Sequence, residues 1–410
     1  MTGASERARA AIAECRLLAT MSEEPGRTTR RFLTPPVAEV HAHLRARMEA
    51  LEMAVAVDAA GNLRGVWSSA GAPRKRLVIG SHLDTVPDAG PFDGVLGVTL
   101  AVELVRAARE KALPLTIEII AFSEEEGVRF GVPYLGSLAA AGRFDPALLK
   151  LTDPEGITLD GAIRSFGLDP AGMRAAEVSR DALGYLELHI EQGPVLEAED
   201  LQVAVVTAIV GQTRSMVHFL GQANHAGTNP MGLRHDALVA AAEWITAVEA
   251  MGRGIDTLVA TVGKVEVEPN AVNVIPGRVR VSLDLRHARD AVRSKAAAEL
   301  LALARAIAAR RGLRCEVNLL MEQVAVPMDE EMTGILADCM QAAGYPPRRM
   351  PSGAGHDSMV MATRLSAAML FVRSPGGLSH HPNETVREED VAAALRVGDL
   401  FLEQFSARAV

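Results

Sequence analysis

"RLVIGSHLDTVPDAGPFDGVLGVTLAVELVRAAREKALPLTIEIIAF" occupies residues 76–122. Its two ends, 76–80 and 115–122, are apolar, β-branched runs of strand length. Between them "VLGVTLAVELVRAAREKA" sets apolar residues at helical spacing and finishes in basic residues, as a helix C-terminus prefers. Strand, helix and strand make a βαβ unit, which predicts a largely parallel sheet covered by helices. In such sheets ligands bind beyond the carboxyl ends of the strands. The loop after the first strand is where His82, Asp84, Asp88 and Asp93 fall.

Further along, "GYLELHIEQG" (184–193) alternates Leu186, Leu188 and Ile190 with Glu187, His189 and Glu191, predicting a period-2 strand with polar groups on one side. "AAMLFVR" (367–373) reads as a buried strand, and "VREEDVAAALRVGDLFLEQF" as a closing amphipathic helix. Residues 213–328 have a different texture. Alternating strands in "SMVHFLG", "TLVATVGKVEVEP", "RVRVSLDLR" and "RCEVNLLME" interleave with helices at about 236–252 and 288–311, which suits a sheet with one wet face. At 410 residues the chain exceeds one ordinary core. The expected division is a discontinuous first domain, 1–212 with 329–410, and an inserted α+β domain, 213–328.

The formal charge of −9 and the lack of a prominent basic run argue against a nucleic-acid partner. "RTTRR" (27–31) is short and reads as a solvated or anion-contacting loop. No apolar run is long enough to span a bilayer, so no membrane association is expected. The opening "MTGASERARAAIAECRLLATM" reads as an amphipathic helix rather than a signal peptide. Cys15, Cys315 and Cys339 are odd in number and lack metal-type spacing, as idle thiols in a reducing cytoplasm would be.

Ionisable residues gather after four strands: His82, Asp84 and Asp93; Glu124, Glu125 and Glu126; His189; and His380, His381 and Glu384. A lone histidine at a strand end is ordinarily a satisfied residue, and three glutamates are ordinarily a solvated turn. Convergence on one rim changes that balance, because packed like charges are costly unless a cation neutralises them. Imidazole and carboxylate without cysteine form the ligand set of zinc, manganese or cobalt, hence a dimetal hydrolase site. Such a site needs one bridging carboxylate and a second carboxylate to take a proton from water.

"GSHLDTVPDAGPFDG", "EEGVRF", "ELHIEQGPVLE", "NHAGTNPM", "PNAVNVIPG", "SGAGHD" and "GLSHHPNE" together resemble the hydantoinase/carbamoylase branch of the M20 metallopeptidase clan. They run in family order from residue 80 to 384. The resemblance implies an α/β fold, a mostly parallel sheet with helices on both faces, with the insertion acting as a lid and dimerisation domain. It implies two divalent ions per subunit, zinc or manganese, with cobalt or nickel tolerated. His82, Asp93 and His189 would hold one ion. Asp93, Glu126 and His380 would hold the other, with Asp93 bridging. Glu125 would be the general base, and Asp84 would orient His82. His225 of a partner subunit would stabilise the oxyanion, making the enzyme a homodimer. Gln192 and His356 would meet the ureido group, and Asn273 and Arg286 the substrate carboxylate. Without the motif, Arg286 would read as a strand salt bridge.

Two positions depart from the family pattern: Asn229 in "HAGTNPM", and His381 beside His380, where the spacing S-H-x-P-x-E selects His380. His41, His43, His218, His235 and His287 lie outside the motifs. The expected activity is hydrolysis of the ureido C–N bond of a carboxylate substrate, allantoate first. N-carbamoyl-L-amino acids or β-ureidopropionate come next, and an aminoacylase or dipeptidase activity is more distant.

Overall fold

In the computed structural model, which describes residues 3–72 and 75–409, the first sheet is built from seven principal strands. These are β1 (Ala54–Val57), β2 (Leu63–Ser68), β3 (Arg76–His82), β4 (Thr116–Phe122), β5 (Gly184–Ile190), β6 (Val203–Ile209) and β7 (Ala367–Val372). They lie in the order β1–β2–β4–β3–β5–β7–β6. The inner four, β4, β3, β5 and β7, pair in parallel, while β1, β2 and β6 join antiparallel at the sides. The mostly parallel sheet expected from 76–122 is therefore present, with helix α3 (Val95–Glu110) as the crossover between β3 and β4.

All seven residues of β4 and all seven of β5 are buried, so neither face of the inner sheet meets water. Each fully buried Ile or Leu, such as Ile117, Ile119, Leu186 and Leu188, stabilises by roughly 1.5–3 kcal/mol. That apolar bulk lets β5 also carry buried Glu187 and His189. The polar side expected for "ELHIEQG" is present, and it is buried rather than solvated. β5 is a central strand, flanked in the sheet by β3 and β7.

The segment from Ala4 to Ala19 forms helix α1, as expected; Met1 and Thr2 of that reading lie outside the described residues. Helix α2 is Pro35–Glu49, and the closing helix is Glu388–Ala409. α1, α3 and the closing helix share one apolar core through Leu18, Leu96, Leu100, Leu395 and Phe401. "RTTRR" departs from expectation. Arg30 is completely buried, because the segment runs antiparallel to the loop after β3 and is bridged to it at Thr28 and Ala89.

The chain divides into two compact units, Met1–Thr207 with Met328–Val410, and Ala208–Pro327. In the second unit, strands Gly211–Leu220, Arg278–His287 and Arg314–Gln323 pair antiparallel. Strand Arg278–His287 alternates buried and half-exposed positions, the one-wet-face pattern. Its inner residues Val279, Val281, Leu283 and Leu285 pack with Trp244 and Leu300 of helices Ala237–Gly254 and Asp290–Arg310. Among the described residues no helix is long and apolar enough to cross a membrane.

Candidate metal centre

β4, β3, β5 and β7 are neighbours and run the same way, so the segments at their carboxyl ends meet on one rim. His82 is the last residue of β3, and His189 stands one residue before the end of β5. Asp93 sits just ahead of α3, where a helix N-terminus favours a carboxylate. Gly94 follows with φ +67°, and a Cβ there would come within 2.5 Å of the His82 ring, so the close approach of ring and backbone requires glycine.

Asp93 is the hub. Its Oδ1 lies 3.2 Å from His189 Nε2 and 3.6 Å from His82 Nε2, while its Oδ2 lies 3.2 Å from His380 Nε2. His380 Nε2 is also 3.2 Å from Glu126 Oε1. Two triads that could each hold a metal ion result, His82–Asp93–His189 and Asp93–Glu126–His380, each with its donor atoms within 4.8 Å of one another. Asp93 belongs to both, with a different oxygen facing each. Its Oδ1 is buried and lacks a hydrogen-bond partner. A buried, unsatisfied carboxylate oxygen between two imidazoles fits a divalent cation. His381 is turned elsewhere, its Nδ1 accepting the Asn383 N–H at 3.1 Å.

Charge in this cluster is strongly coupled. Burial pushes the Asp93 carboxyl up, but the imidazoles of His189, His380 and His82 close around it outweigh that and hold it well below its usual range. The carboxylates of Asp93 and Glu126 raise His380 to about 10. Burial alone would push His82 down; Glu125, Asp93 and Asp84 around it prevail and raise it. Burial drives Glu125 well up, and Glu126, Asp357 and Asp84 add to that against the pull of His82. A ligating imidazole is neutral, so metal binding at this cluster would release protons.

The triple glutamate splits into three tasks. Glu124, at φ +51°, is fully buried, and its Oε1 accepts the N–H groups of Arg129 and Phe130 at 2.9 and 3.1 Å. Glu126 faces His380, and Glu125 forms a further cluster with His82 and Glu126. Asp84 departs from expectation. His82 Nδ1 donates to the Asp84 main-chain oxygen at 3.0 Å, while the carboxylate oxygen is 3.8 Å away. The Asp84 carboxylate instead accepts the Glu125 and Glu126 N–H groups, both at 3.0 Å. It holds the glutamate loop, and its backbone holds the histidine.

His356 was expected at the ureido group. At 1% exposure it packs edge-on against the His189 ring, centroids 4.4 Å apart, with Nε2 paired to Ser352 Oγ at 2.9 Å. Its sequence motif delivers it to the His189 ring rather than to open space. Gln192 donates from Nε2 to Asp93 Oδ2 at 2.9 Å, and Ser379 Oγ donates to the same oxygen at 2.7 Å. Glu384, given no role from sequence, accepts the Phe92 and Asp93 N–H groups at 2.8 and 3.0 Å. Its place in "HPNE" was a signal, but its target was not readable. Buried Glu187 accepts from Ser81, Tyr185 and Ser358.

His225, Asn273 and Arg286 belong to the second unit. His225 pairs with Val274 in a two-stranded sheet, and the Asn273 carbonyl accepts the Ala226 N–H at 2.9 Å, so the two motifs are adjacent. His225 is exposed, and its Nδ1 accepts from the N–H groups of Gly227 and Thr228, both at 3.1 Å. In the neutral ring the proton therefore resides on Nε2, which points to a donor role. Arg286 is held by Asp284 through Nε at 2.9 Å and Nη2 at 3.1 Å, the strand salt bridge that its position alone suggests.

The profile of peptidase family M20/M25/M40 matches residues 78–404. The chain is 40% identical over 343 residues to the N-carbamoyl-L-amino acid amidohydrolase of Geobacillus stearothermophilus, covering 83% of this chain and 84% of that one. It is 35% identical over 418 residues to the allantoate deiminase of Arabidopsis thaliana, covering 94% and 80%. A solved amidase of the hydantoinase/carbamoylase family from Burkholderia multivorans superposes with a TM-score of 0.90 at 31% identity, over 98% of both chains. The chain belongs to the M20/M25/M40 peptidase family, is similar over nearly its whole length to hydantoinase/carbamoylase amidases, and is a hydrolytic enzyme.

Proposed function

We propose that the protein is a homodimeric, dimetal amidohydrolase that cleaves the ureido C–N bond of a small carboxylate substrate, with allantoate the first choice. The observation that carries this is the division of the Asp93 carboxylate, Oδ1 toward His82 and His189 and Oδ2 toward His380. Two divalent ions, held by His82, Asp93 and His189 and by Asp93, Glu126 and His380, supply Lewis acidity and a lowered water pKa when bound. Zinc and manganese both suit this donor set.

The residues of the chain perform the rest. Glu125 takes a proton from the attacking water and returns it to the departing nitrogen. Asp84 fixes the loop that presents Glu125, through the two N–H groups it accepts. His225, with its proton on Nε2, donates to the developing oxyanion in the partner subunit. Arg286 and Asn273 bind the substrate carboxylate, and Gln192, beside Asp93, meets the ureido group. Water adds to the ureido carbon, the C–N bond breaks, and the resulting carbamic acid decomposes to ammonia and carbon dioxide.

N-carbamoyl-L-amino acids are the second reading, favoured by the Geobacillus stearothermophilus relative at 40% identity. Metal analysis and an ammonia assay with both substrates test the proposal together. Two ions per chain and ammonia from a ureido acid support it. One tightly held ion with no hydrolysis would make the cluster structural.

A further inference from the structure

Arg30 is 0% exposed, yet among the described residues no carboxylate pairs with it. Its Nη2 is buried without a hydrogen-bond partner. Burial lowers this guanidinium to about 10, with Asp84 the largest opposing influence, so it remains charged at neutral pH. A buried, unpaired cation is costly, and the hydrogen bonds it makes show what it is kept for. Nε donates to the Leu83 carbonyl at 2.7 Å. Nη1 donates to the Leu18 and Met21 carbonyls at 3.0 and 3.1 Å, at the C-terminal end of α1, where a cation is favoured. The Arg30 backbone is also tied to Thr85: its N–H donates to Thr85 Oγ1 at 2.9 Å, and its carbonyl accepts the Thr85 N–H at 3.0 Å.

Leu83 lies between His82 and Asp84. Its own N–H donates to the Phe122 carbonyl at the end of β4, at 3.0 Å. The peptide between the ligand His82 and the loop-holding Asp84 is therefore gripped from both sides, by β4 and by Arg30. We infer that Arg30 is a positioning residue of the metal centre: it clamps the 82–85 turn to the end of α1 and so sets His82 and, through Asp84, Glu125 and Glu126. This rests on the dimetal reading above.

The test uses full-length Arg30→Met and Arg30→Lys proteins. Zn2+ affinity is measured by competition with a chromophoric chelator, well below the unfolding temperature, alongside kcat and KM. Removing a partner that orients a metal ligand typically weakens metal affinity roughly 10–100-fold, and that is the change expected for Arg30→Met. kcat falls with it, while KM stays within about twofold because no substrate contact is lost. Arg30→Lys keeps the charge but lacks the fork that spans Leu83 and the helix carbonyls, so its affinity is expected between the two. If Arg30→Met does not fold, Arg30→Lys decides. Wild-type Zn2+ affinity and kcat in the variants that fold, with only the unfolding temperature lowered, overturns the inference. A wild-type protein that binds no Zn2+ would instead break the dimetal reading.

Discussion

The Glu384 carboxylate accepts the main-chain N–H of Asp93 at 3.0 Å, across 291 positions of sequence, and the Phe92 N–H at 2.8 Å. Gly90 makes room for it, since a Cβ there would collide with the Glu384 side chain. The residue proposed to bridge both ions is thus seated by the same loop that supplies His380. Glu384→Ala orphans two buried N–H groups, at about 1–3 kcal/mol each. Its unfolding free energy and its metal content are both expected to fall. Glu384→Gln retains an acceptor oxygen and should keep most of each. Equal metal content in the alanine variant and the wild type would show that Asp93 does not depend on this seat.

Glu125→Gln removes proton transfer while leaving both triads intact. Turnover is expected to drop about 10²–10⁴-fold with both ions retained. Near-normal rates in a metal-replete variant would sink the assignment of Glu125 as base.

Arg286→Ala chiefly raises KM for carboxylate substrates, by at least about tenfold, the equivalent of 1.4 kcal/mol. Its bidentate partner Asp284 gives a control. Asp284→Asn leaves the guanidinium in place with a neutral neighbour and is expected to spare KM by comparison. An unchanged KM in Arg286→Ala assigns the residue to the strand salt bridge alone.

His41, on α2 and 5% exposed, packs edge-on against Phe166 with centroids 5.9 Å apart, and its Nδ1 has no partner. Burial, aided by Arg45 and Arg30, lowers it from 6.5 to about 4. The folded state therefore favours the neutral ring, and the unfolded chain binds the extra proton between those values. This contribution is fully present above pH 6.5 and is lost as pH falls to about 4. It totals about 3 kcal/mol. Denaturant titrations of chelator-treated wild type and His41→Phe across that window should show a shallower acid loss in the variant. Parallel curves would remove His41 from the acid response.

The rim was legible in sequence because its ionisable residues follow strands, which are read from apolar runs, while the division of those residues into two ligand sets came from the family resemblance. β5 was legible as a strand but not as a central one, since alternation describes a wet face and a buried functional face equally well. The neighbours of β5 in the sheet, β3 and β7, are fixed only by long-range pairing. Arg30 reads from sequence as part of a solvated or anion-contacting loop because nothing local reveals that its fork meets Leu83 and Leu18. Asp84 and His356 came from the right motifs but reach different atoms than expected, the Glu125 and Glu126 N–H groups and the His189 ring. Composition and spacing bring residues to a rim; which atom each one touches depends on packing between segments far apart in the chain.

The most direct test of the account is ammonia release from allantoate, and in parallel from an N-carbamoyl-L-amino acid, by protein carrying a measured complement of divalent ions. The account predicts two ions per chain and ammonia from at least one ureido acid, lost on chelation and restored by Zn2+ or Mn2+. No ammonia from either ureido acid, together with amine release from a dipeptide or an N-acyl amino acid, would contradict it.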